Sequence, residues 1–308
     1  MAEIIISEFM DDIEVAGLSR DFDVFYDPGL VGEPERLASL MGPCRGLIVR
    51  NRTMVTAALM DAAPGLAVIG RLGVGLDNID LDAAAARGVK VCPAVGANAA
   101  SVAEYALLAM LHLLRPVVMA TPAMLAGTFP RGELSGGSEI GGKVLGLIGG
   151  GMIGAALAGR ARALGLDVVI TDPGLTVATT PEGCRLVSLE TLLETADVIS
   201  LHVPLNKHTR GMVDAAMLAR MKPGVVLINT ARGGIVDHAA LATGLRNGHV
   251  GGAAIDVFEE EPASKESLAM FDGVENLVLT PHIAGLTMES NARVAAMTAA
   301  QVRTVLET

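Results

Sequence analysis

The stretch from Lys143 to Asp172 limits the fold of this chain more than any other. It reads KVLGLIGGGMIGAALAGRARALGLDVVITD. An apolar, β-branched run (Val144–Ile148) leads into glycines at Gly149, Gly151 and Gly154, spaced G-x-G-x-x-G. A helical pattern follows, and then a second apolar run that ends in an acid, Asp172. The glycines alone are a weak signal. Between a strand and a helix, with an acid closing the next strand, they form the dinucleotide fingerprint. Gly149 permits the tight turn, Gly151 lets backbone approach a pyrophosphate, and Gly154 lets the helix pack close to the strand. The opening of the helix, with Met152 and Ile153, offers unpaired N–H groups and a partial positive charge to phosphates. Asp172 is placed to accept from both ribose hydroxyls and would repel a 2′-phosphate, so NAD is expected over NADP. A glycine-rich packing loop in an unrelated sheet is the competing reading.

The rest of the chain supports the context that this motif needs. Short β-branched runs (Ile4–Ile6, Val24–Tyr26, Leu47–Arg50, Ala67–Ile69, Val89–Cys92) alternate with helical patterns over Pro34–Met41, Thr56–Ala63 and Leu81–Arg87. A long helical stretch runs from Ser101 to about Leu114. A second series of six strands follows it: Val144–Ile148, Val168–Thr171, Val198–Leu201, Val225–Asn229, Ala253–Asp256 and Leu277–Leu279. A helix over Met288–Leu306 closes the chain. Alternation of this kind implies α/β architecture with doubly wound parallel sheets.

In an open parallel sheet, ligands bind beyond the carboxyl ends of the strands. Just past three late strands lie Arg232 (NTARGGIVD), Glu261 (DVFEEEP) and His282 (TPHIAG). Alcohol oxidation by hydride loss needs a base for the hydroxyl proton, and an imidazole suits that role. A carboxylate behind it, Glu261, orients the ring and favours its charged form. The planar fork of Arg232 matches a substrate carboxylate and polarises the adjacent oxygen. Asp256, at its own strand end, is placed to accept from a nicotinamide carboxamide. Taken singly, Arg232 reads as a surface charge, Glu261 as a solvated acid and His282 as a satisfied core histidine. Together above a nucleotide loop, they read as a site.

Bulk properties narrow the partners. The 308-residue chain carries a net charge of −11, with 51% apolar and 19% charged residues. A diffuse negative field disfavours nucleic acid and anionic membranes as partners, while leaving room for a locally basic site for a small acid. Cys44, Cys92 and Cys184 are scattered and odd in number, which fits inert thiols in a reducing cytoplasm rather than a disulfide framework or a metal site. The N-terminus, MAEIIISEFMDD, lacks the basic flank of a signal peptide. No metal is expected.

The blocks GRLGVGLDNID, ANAASVAEYAL, GLIGGGMIG, NTARGGIVD, AAIDVFEEEP and TPHIAG, in that order, resemble the D-isomer-specific 2-hydroxyacid dehydrogenase family, in its phosphoglycerate dehydrogenase-like branch. The resemblance runs nearly end to end. It implies a flavodoxin-like substrate-binding domain (1–97 with 285–308), a Rossmann NAD-binding domain (98–284) and an active site in the cleft between them. It implies that Arg232, Glu261 and His282 are the catalytic trio. It further implies that Val74 and Gly75 bind the substrate carboxylate through their N–H groups, although GVG also reads as a plain turn. Cofactor contacts are implied for His202, Pro204, Thr209, Thr230, Ala231, Asp256 and Gly285 besides Arg232 and His282. A homodimer is implied through an extended helix over the stretch 101–124, whose Leu107, Leu111 and Leu114 otherwise read as core; His112 there reads as structural.

One local match bears on the substrate. VRNRT resembles the segment that meets the distal phosphate in phosphoglycerate dehydrogenases, so Arg50 and Arg52 point to a second anionic group such as phosphate, sulfonate or carboxylate. Two solvated arginines are the competing reading, and Arg71 and Arg131 are weaker candidates. Phosphoglycerate, 3-sulfolactate, glycerate and hydroxypyruvate all remain open as substrates, with glyoxylate/hydroxypyruvate reduction as an alternative activity. With the last residue at Thr308, the serine-responsive regulatory domain of many biosynthetic phosphoglycerate dehydrogenases is not expected. A non-catalytic NAD-sensing protein of the same fold is the reading from another class. The intact trio weighs against it.

Overall fold

The computed structural model describes residues 2–115, 117–176, 179–180 and 183–308. In chain order the strands and helices are β1 (Ile4–Ile6), α1 (Asp12–Leu18), β2 (Val24–Tyr26), α2 (Pro34–Leu40), β3 (Gly46–Val49), α3 (Ala57–Asp61), β4 (Val68–Arg71), α4 (Leu81–Ala86), β5 (Lys90–Pro93) and α5 (Ala99–Leu114). They continue with α6 (Ala120–Leu125), β6 (Val144–Ile148), α7 (Met152–Ala163), β7 (Asp167–Thr171), β8 (Arg185–Leu186), α8 (Leu189–Thr195), β9 (Val198–Leu201) and α9 (Ala215–Arg220). The last are β10 (Val225–Asn229), α10 (His238–Arg246), β11 (Val250–Ile255), α11 (Lys265–Leu268), β12 (Leu277–Leu279) and α12 (Met288–Leu306). The chain divides into two units, Met1–Asn98 with Leu286–Thr308, and Ala99–Gly285.

The first unit is built on a parallel sheet of order β2-β1-β3-β4-β5. The central strands β1 and β3 are apolar and buried at every position, because both faces of the sheet are covered. Ile5, Leu47 and Ile69 pack on one side with Leu37, Met41 and Met60. Ile4, Ile6, Ile48 and Val68 pack on the other with Val294, Ala295 and Val302 of α12. That helix lies so close that a Cβ at Gly70 would fall 2.7 Å from a Val302 methyl and 2.8 Å from the Thr298 methyl.

The second unit holds seven parallel strands in the order β12-β11-β10-β9-β6-β7-β8. Outward from β6 this is the dinucleotide-fold order with one strand added, and its winding reverses between β6 and β9. Alanines set the spacing on one face, where Ala103 and Ala106 of α5 meet Ala158 and Ala161 of α7 over Leu145, Leu147, Val226 and Ile228. The opposite face buries Ile199, Leu201, Leu227 and Ile255 under Leu192, Leu218 and Leu241.

The fold class is as expected, with three local corrections. A seventh strand, β8, is only two residues long, too short to leave a periodic signal. Helix α1 was not anticipated; Asp11 caps it by accepting from the Ile13 N–H. The stretch 101–124 is not one helix: α5 ends at Leu114, Val117–Met119 is a 3-10 turn, and α6 follows. Pro116, which follows α5 closely in the sequence, lies outside the described residues.

Candidate functional site

Backbone register decides where the chemistry of the second unit sits. Ile148 pairs with Thr171 and with Leu201. Leu201 pairs with Asn229, Asn229 with Ile255, and Ile255 with Leu279. The first residues past that row are therefore Asp172, Gly149, His202, Thr230, Asp256 and Thr280, side by side along one edge.

At the reversal point, Gly149 has φ +105°, and a Cβ there would lie 2.4 Å from the His202 carbonyl oxygen. A Cβ on Gly154 would lie 2.3 Å from the Gly149 oxygen, whereas one on Gly151 would meet nothing within 4 Å. Gly149 and Gly154 are thus fixed by protein backbone, and Gly151 faces open space. No side chain caps α7 at Gly151, which leaves the first-turn N–H groups of Met152 and Ile153 to a ligand. These features fit a pyrophosphate. The Asp172 carboxylate accepts from Gly150 N and Gly174 N, each at 2.7 Å. Sequence reasoning assigned that acid only to a ligand, but it also ties down the loop. A Cβ on Gly150 would strike Leu175 at 2.6 Å, so the middle glycine is structural as well.

Across the reversal, His202 Nε2 bonds to Ser200 Oγ at 2.9 Å, and its shielded Nδ1 has no partner among the described residues. Burial pushes its pKa down to about 4, so the ring is neutral at ordinary pH. The Thr209 hydroxyl donates to Pro204 O at 2.6 Å and closes the loop those residues share. The buried Thr230 Oγ1 has no partner among the described residues. Ala231 is nearly buried, and its carbonyl accepts from Arg232 Nη1 at 2.6 Å.

Two of the three expected residues meet, and the charge of the third, Arg232, acts on Glu261. His282 Nδ1 lies 2.7 Å from Glu261 Oε2, and Glu261 Oε1 accepts from Phe258 N at 3.1 Å. Burial pushes the Glu261 carboxyl up. The His282 hydrogen bond, the Phe258 N–H and the charges of His282 and Arg232 together outweigh it and hold the group below the usual carboxylate range. With Nδ1–H donated to a carboxylate, Nε2 of the neutral ring is a proton acceptor. The half-buried Arg232 stands at the turn before Gly233. A Cβ on Gly233 would sit 1.9 Å from the Phe258 carbonyl carbon and 2.4 Å from Glu259 N. The loops bearing Arg232 and Glu261 therefore touch backbone to backbone, a constraint absent from the sequence reading.

His282 itself has φ +56°, a left-handed conformation that few side chains adopt. Asp256, fully buried, holds it there. The Asp256 carbonyl accepts from His282 N at 2.8 Å, while its carboxylate accepts from Ile283 N and Ala284 N, each at 2.8 Å, and from Thr280 Oγ1 at 2.6 Å. Gly285, half-buried, ends this segment.

The first unit has its own reversal point, between β1 and β3, and the VRNRT segment leaves β3 there. The buried Glu8, just past β1, accepts from Arg50 N (2.8 Å), Thr53 N (2.9 Å) and Arg52 N (3.3 Å). Asn78 Nδ2 donates to Thr53 O at 2.7 Å and to Arg50 O at 3.1 Å, which joins this loop to the one carrying Val74 and Gly75. The Arg50 guanidinium donates to Asn291 Oδ1 at 2.9 Å and lies over the Phe9 ring, 5.6 Å from its centroid. Burial lowers its pKa, opposed by the Glu8 and Tyr26 charges. Arg52 and Arg131 are exposed. Arg71 is buried, donates to Leu72 O at 3.0 Å and lies against Gly73. The Val74 and Gly75 N–H groups find no acceptor among the described residues. Glu8, Asn78 and Asn291 escaped sequence reasoning. Asn78 belongs to the GRLGVGLDNID block and was the accessible one; Glu8 and Asn291 are brought in only by the sheet order and by α12.

A nucleotide loop at the reversal of a parallel sheet, with a carboxylate-bound imidazole along the same edge, defines an NAD-dependent oxidoreductase. More narrowly, the chain belongs to the D-isomer-specific 2-hydroxyacid dehydrogenase family: the family's NAD binding domain matches residues 107–284. The chain is 50% identical over 308 residues to the (S)-sulfolactate dehydrogenase of Chromohalobacter salexigens, covering 99% of each. It is 39% identical over 304 residues to the D-3-phosphoglycerate dehydrogenase of Mycobacterium tuberculosis, covering 98% of this chain and 56% of that protein. The structure of D-lactate dehydrogenase from Aquifex aeolicus, complexed with NAD and lactic acid, superposes with a TM-score of 0.86 at 29% identity, over 99% of this chain and 95% of that one. The protein is an NAD-dependent dehydrogenase acting on 2-hydroxy acids. Among the described residues no helix is long and apolar enough to cross a membrane, and no cluster of side chains suits a metal ion.

The contact at Gly233 yields a test. Gly233→Ala is expected to displace the Phe258–Glu259 peptide and with it Glu261, lowering kcat by about tenfold or more while NAD affinity stays near wild type. Steady-state kinetics beside NAD titration would check this, and an unchanged kcat would show that the two loops are not coupled.

Proposed function

We propose that the protein interconverts a 2-hydroxy acid bearing an anionic group at C3 with its 2-oxo acid, with 3-sulfolactate the leading candidate and 3-phosphoglycerate next. The observation that carries the chemistry is the 2.7 Å contact between His282 Nδ1 and Glu261 Oε2. It sets the tautomer and leaves Nε2 to take the C2 hydroxyl proton as hydride departs. NAD supplies the hydride acceptor when bound. Gly149, Gly151, Met152, Ile153 and Gly154 would hold its pyrophosphate and Asp172 its adenosine ribose; the small and polar groups at His202, Pro204, Thr209, Thr230, Ala231, Asp256 and Gly285 would border the rest. Glu261 stabilises the imidazolium that proton uptake creates. Arg232 engages the substrate carboxylate and draws electron density from the C2 oxygen, and in the reducing direction His282 returns the proton. The Val74 and Gly75 N–H groups would also serve the carboxylate.

The choice of a C3 anion rests on Arg50, which sits at the reversal point of its own sheet, pinned by neutral partners, whereas Arg52 is exposed. The 50% identity to a sulfolactate dehydrogenase over nearly all of both chains supports sulfonate among the anions. NADH absorbance with 2-hydroxy acids that differ only at C3 (hydrogen, hydroxyl, carboxylate, phosphate, sulfonate) is expected to show the highest kcat/KM for sulfonate or phosphate. Absence of NADH formation with all of them would refute the reading. Arg50→Ala should raise KM for 3-sulfolactate by about tenfold or more and leave KM for lactate nearly unchanged; an equal rise for both would remove Arg50 from the distal site.

We also propose a homodimer. Leu108, Leu111, Val117, Val118, Leu125 and Phe129 expose between 39% and 85% of their surface, an apolar stretch that a second copy would cover. Light scattering should return twice the 31.6 kDa chain mass; a monomeric mass at micromolar concentration would contradict it. The three buried free thiols and the acidic charge fit a cytoplasmic enzyme of small acids. Cell fractionation that placed the protein elsewhere would count against that.

A further inference from the structure

We propose that Thr280 and Tyr105 are positioning residues for His282, acting as a hydroxyl relay through Asp256. The proposal rests on His282 as the proton acceptor and goes beyond it by naming what holds that acceptor in place.

Three observations carry it. First, Thr280 Oγ1 donates to Asp256 Oδ1 at 2.6 Å, and Tyr105 Oη lies 2.5 Å from the same Thr280 oxygen. A threonine hydroxyl has one proton. Since it goes to the carboxylate, Tyr105 must donate its own to Thr280, and the relay runs in one direction: phenol to hydroxyl to carboxylate. Hydrogen bonds aligned toward a charge strengthen one another.

Second, Asp256 is fully buried, and its backbone and side chain together take the N–H groups of His282, Ile283 and Ala284. Those bonds keep His282 at φ +56°, a strained conformation for a side chain that persists only where its surroundings enforce it. Burial raises the Asp256 pKa against the opposing hydrogen bonds of Thr280, Ala284 and Ile283 and the charge of His282. The Thr280 donor therefore helps keep the carboxylate ionised and able to accept from all its partners.

Third, Tyr105 comes from α5, whereas Thr280 and Asp256 follow β12 and β11. The relay is thus the polar bond that fixes the His282 segment to a helix and not only to its neighbouring strand. Burial and the Asp256 charge raise the Tyr105 pKa, opposed by the Thr280 bond, so the phenol stays protonated and a donor.

The test uses the full-length enzyme with NAD and 3-sulfolactate, unlabelled and with deuterium at C2. Thr280→Val keeps the shape and removes the hydroxyl; it is expected to lower kcat by about tenfold or more, leave KM for NAD within about twofold, and increase the isotope effect on kcat. Thr280→Ser keeps the hydroxyl and should retain most of the activity. Tyr105→Phe should lower kcat by a few-fold, and adding it to Thr280→Val should lower kcat no further, because the tyrosine acts through the threonine. Wild-type kcat in Thr280→Val overturns the proposal, as does equal damage in Val and Ser, which would trace the effect to the methyl group. If Thr280→Val does not fold, Tyr105→Phe alone decides: an unchanged kcat and isotope effect overturn it. His282→Ala separates the two levels. Loss of turnover there with none in Thr280→Val defeats the relay but not the proton acceptor, whereas full activity in His282→Ala defeats both.

Discussion

Parallel pairing in register is what everything else at this site depends on. Six strands of the second unit end at the same level, from Thr171 through Ile148, Leu201, Asn229 and Ile255 to Leu279. Parallel strands place all their carboxyl ends on one side, so residues far apart in sequence stand in a line without needing long side chains to reach one another. A shift of one residue in any strand would turn its end residue to the opposite face. The largely buried, apolar character of these strands therefore does more than stabilise a core. It fixes the address of each residue that follows.

Along that edge, two kinds of constraint divide the work. Glycines permit approach: Gly149 against the His202 carbonyl, Gly154 against Gly149, and Gly233 against the Phe258–Glu259 peptide leave no room for a Cβ. Carboxylates enforce geometry, since the half-buried Asp172, the buried Asp256 and, in the first unit, the buried Glu8 each accept from two or more backbone N–H groups. A carboxylate with several backbone donors is both satisfied and rigid, which suits loops that must hold a shape where no strand or helix continues.

The dinucleotide loop, the strand–helix alternation and the trio of Arg232, Glu261 and His282 were legible in the sequence because each is announced by a local pattern: a glycine spacing, a period, or a polar residue at the end of an apolar run. The holding residues were not legible. Nothing in AAIDVFEEEP signals that the Asp256 carboxylate, read from the sequence as a cofactor contact, also organises TPHIAG on the next strand. Glu8 looks like one acid among several near the N-terminus and becomes meaningful only when the sheet order places β1 beside β3. Strand β8 left no trace because two residues cannot display a period. Apart from β8 and α1, what was missed depends on non-local pairing.

Contrasts among the arginines of the first unit support the role proposed for Arg50. Arg45 pairs with Glu3, Arg87 with Asp61 and Arg303 with Asp21, so each spends its charge on a neighbouring acid. Arg50 is held by an amide oxygen and an aromatic face, and the Glu8 carboxylate that acts on it through space directs its oxygens to backbone N–H groups. Neutral partners fix the guanidinium without cancelling it. In a chain of net charge −11, where acids outnumber bases and counter-ions are easy to find, an oriented cation with no carboxylate bound to it favours an anion from outside. It also costs less to desolvate than an ammonium and offers two parallel donors, which is the physical basis for proposing a sulfonate or phosphate rather than the hydroxyl of glycerate as its partner.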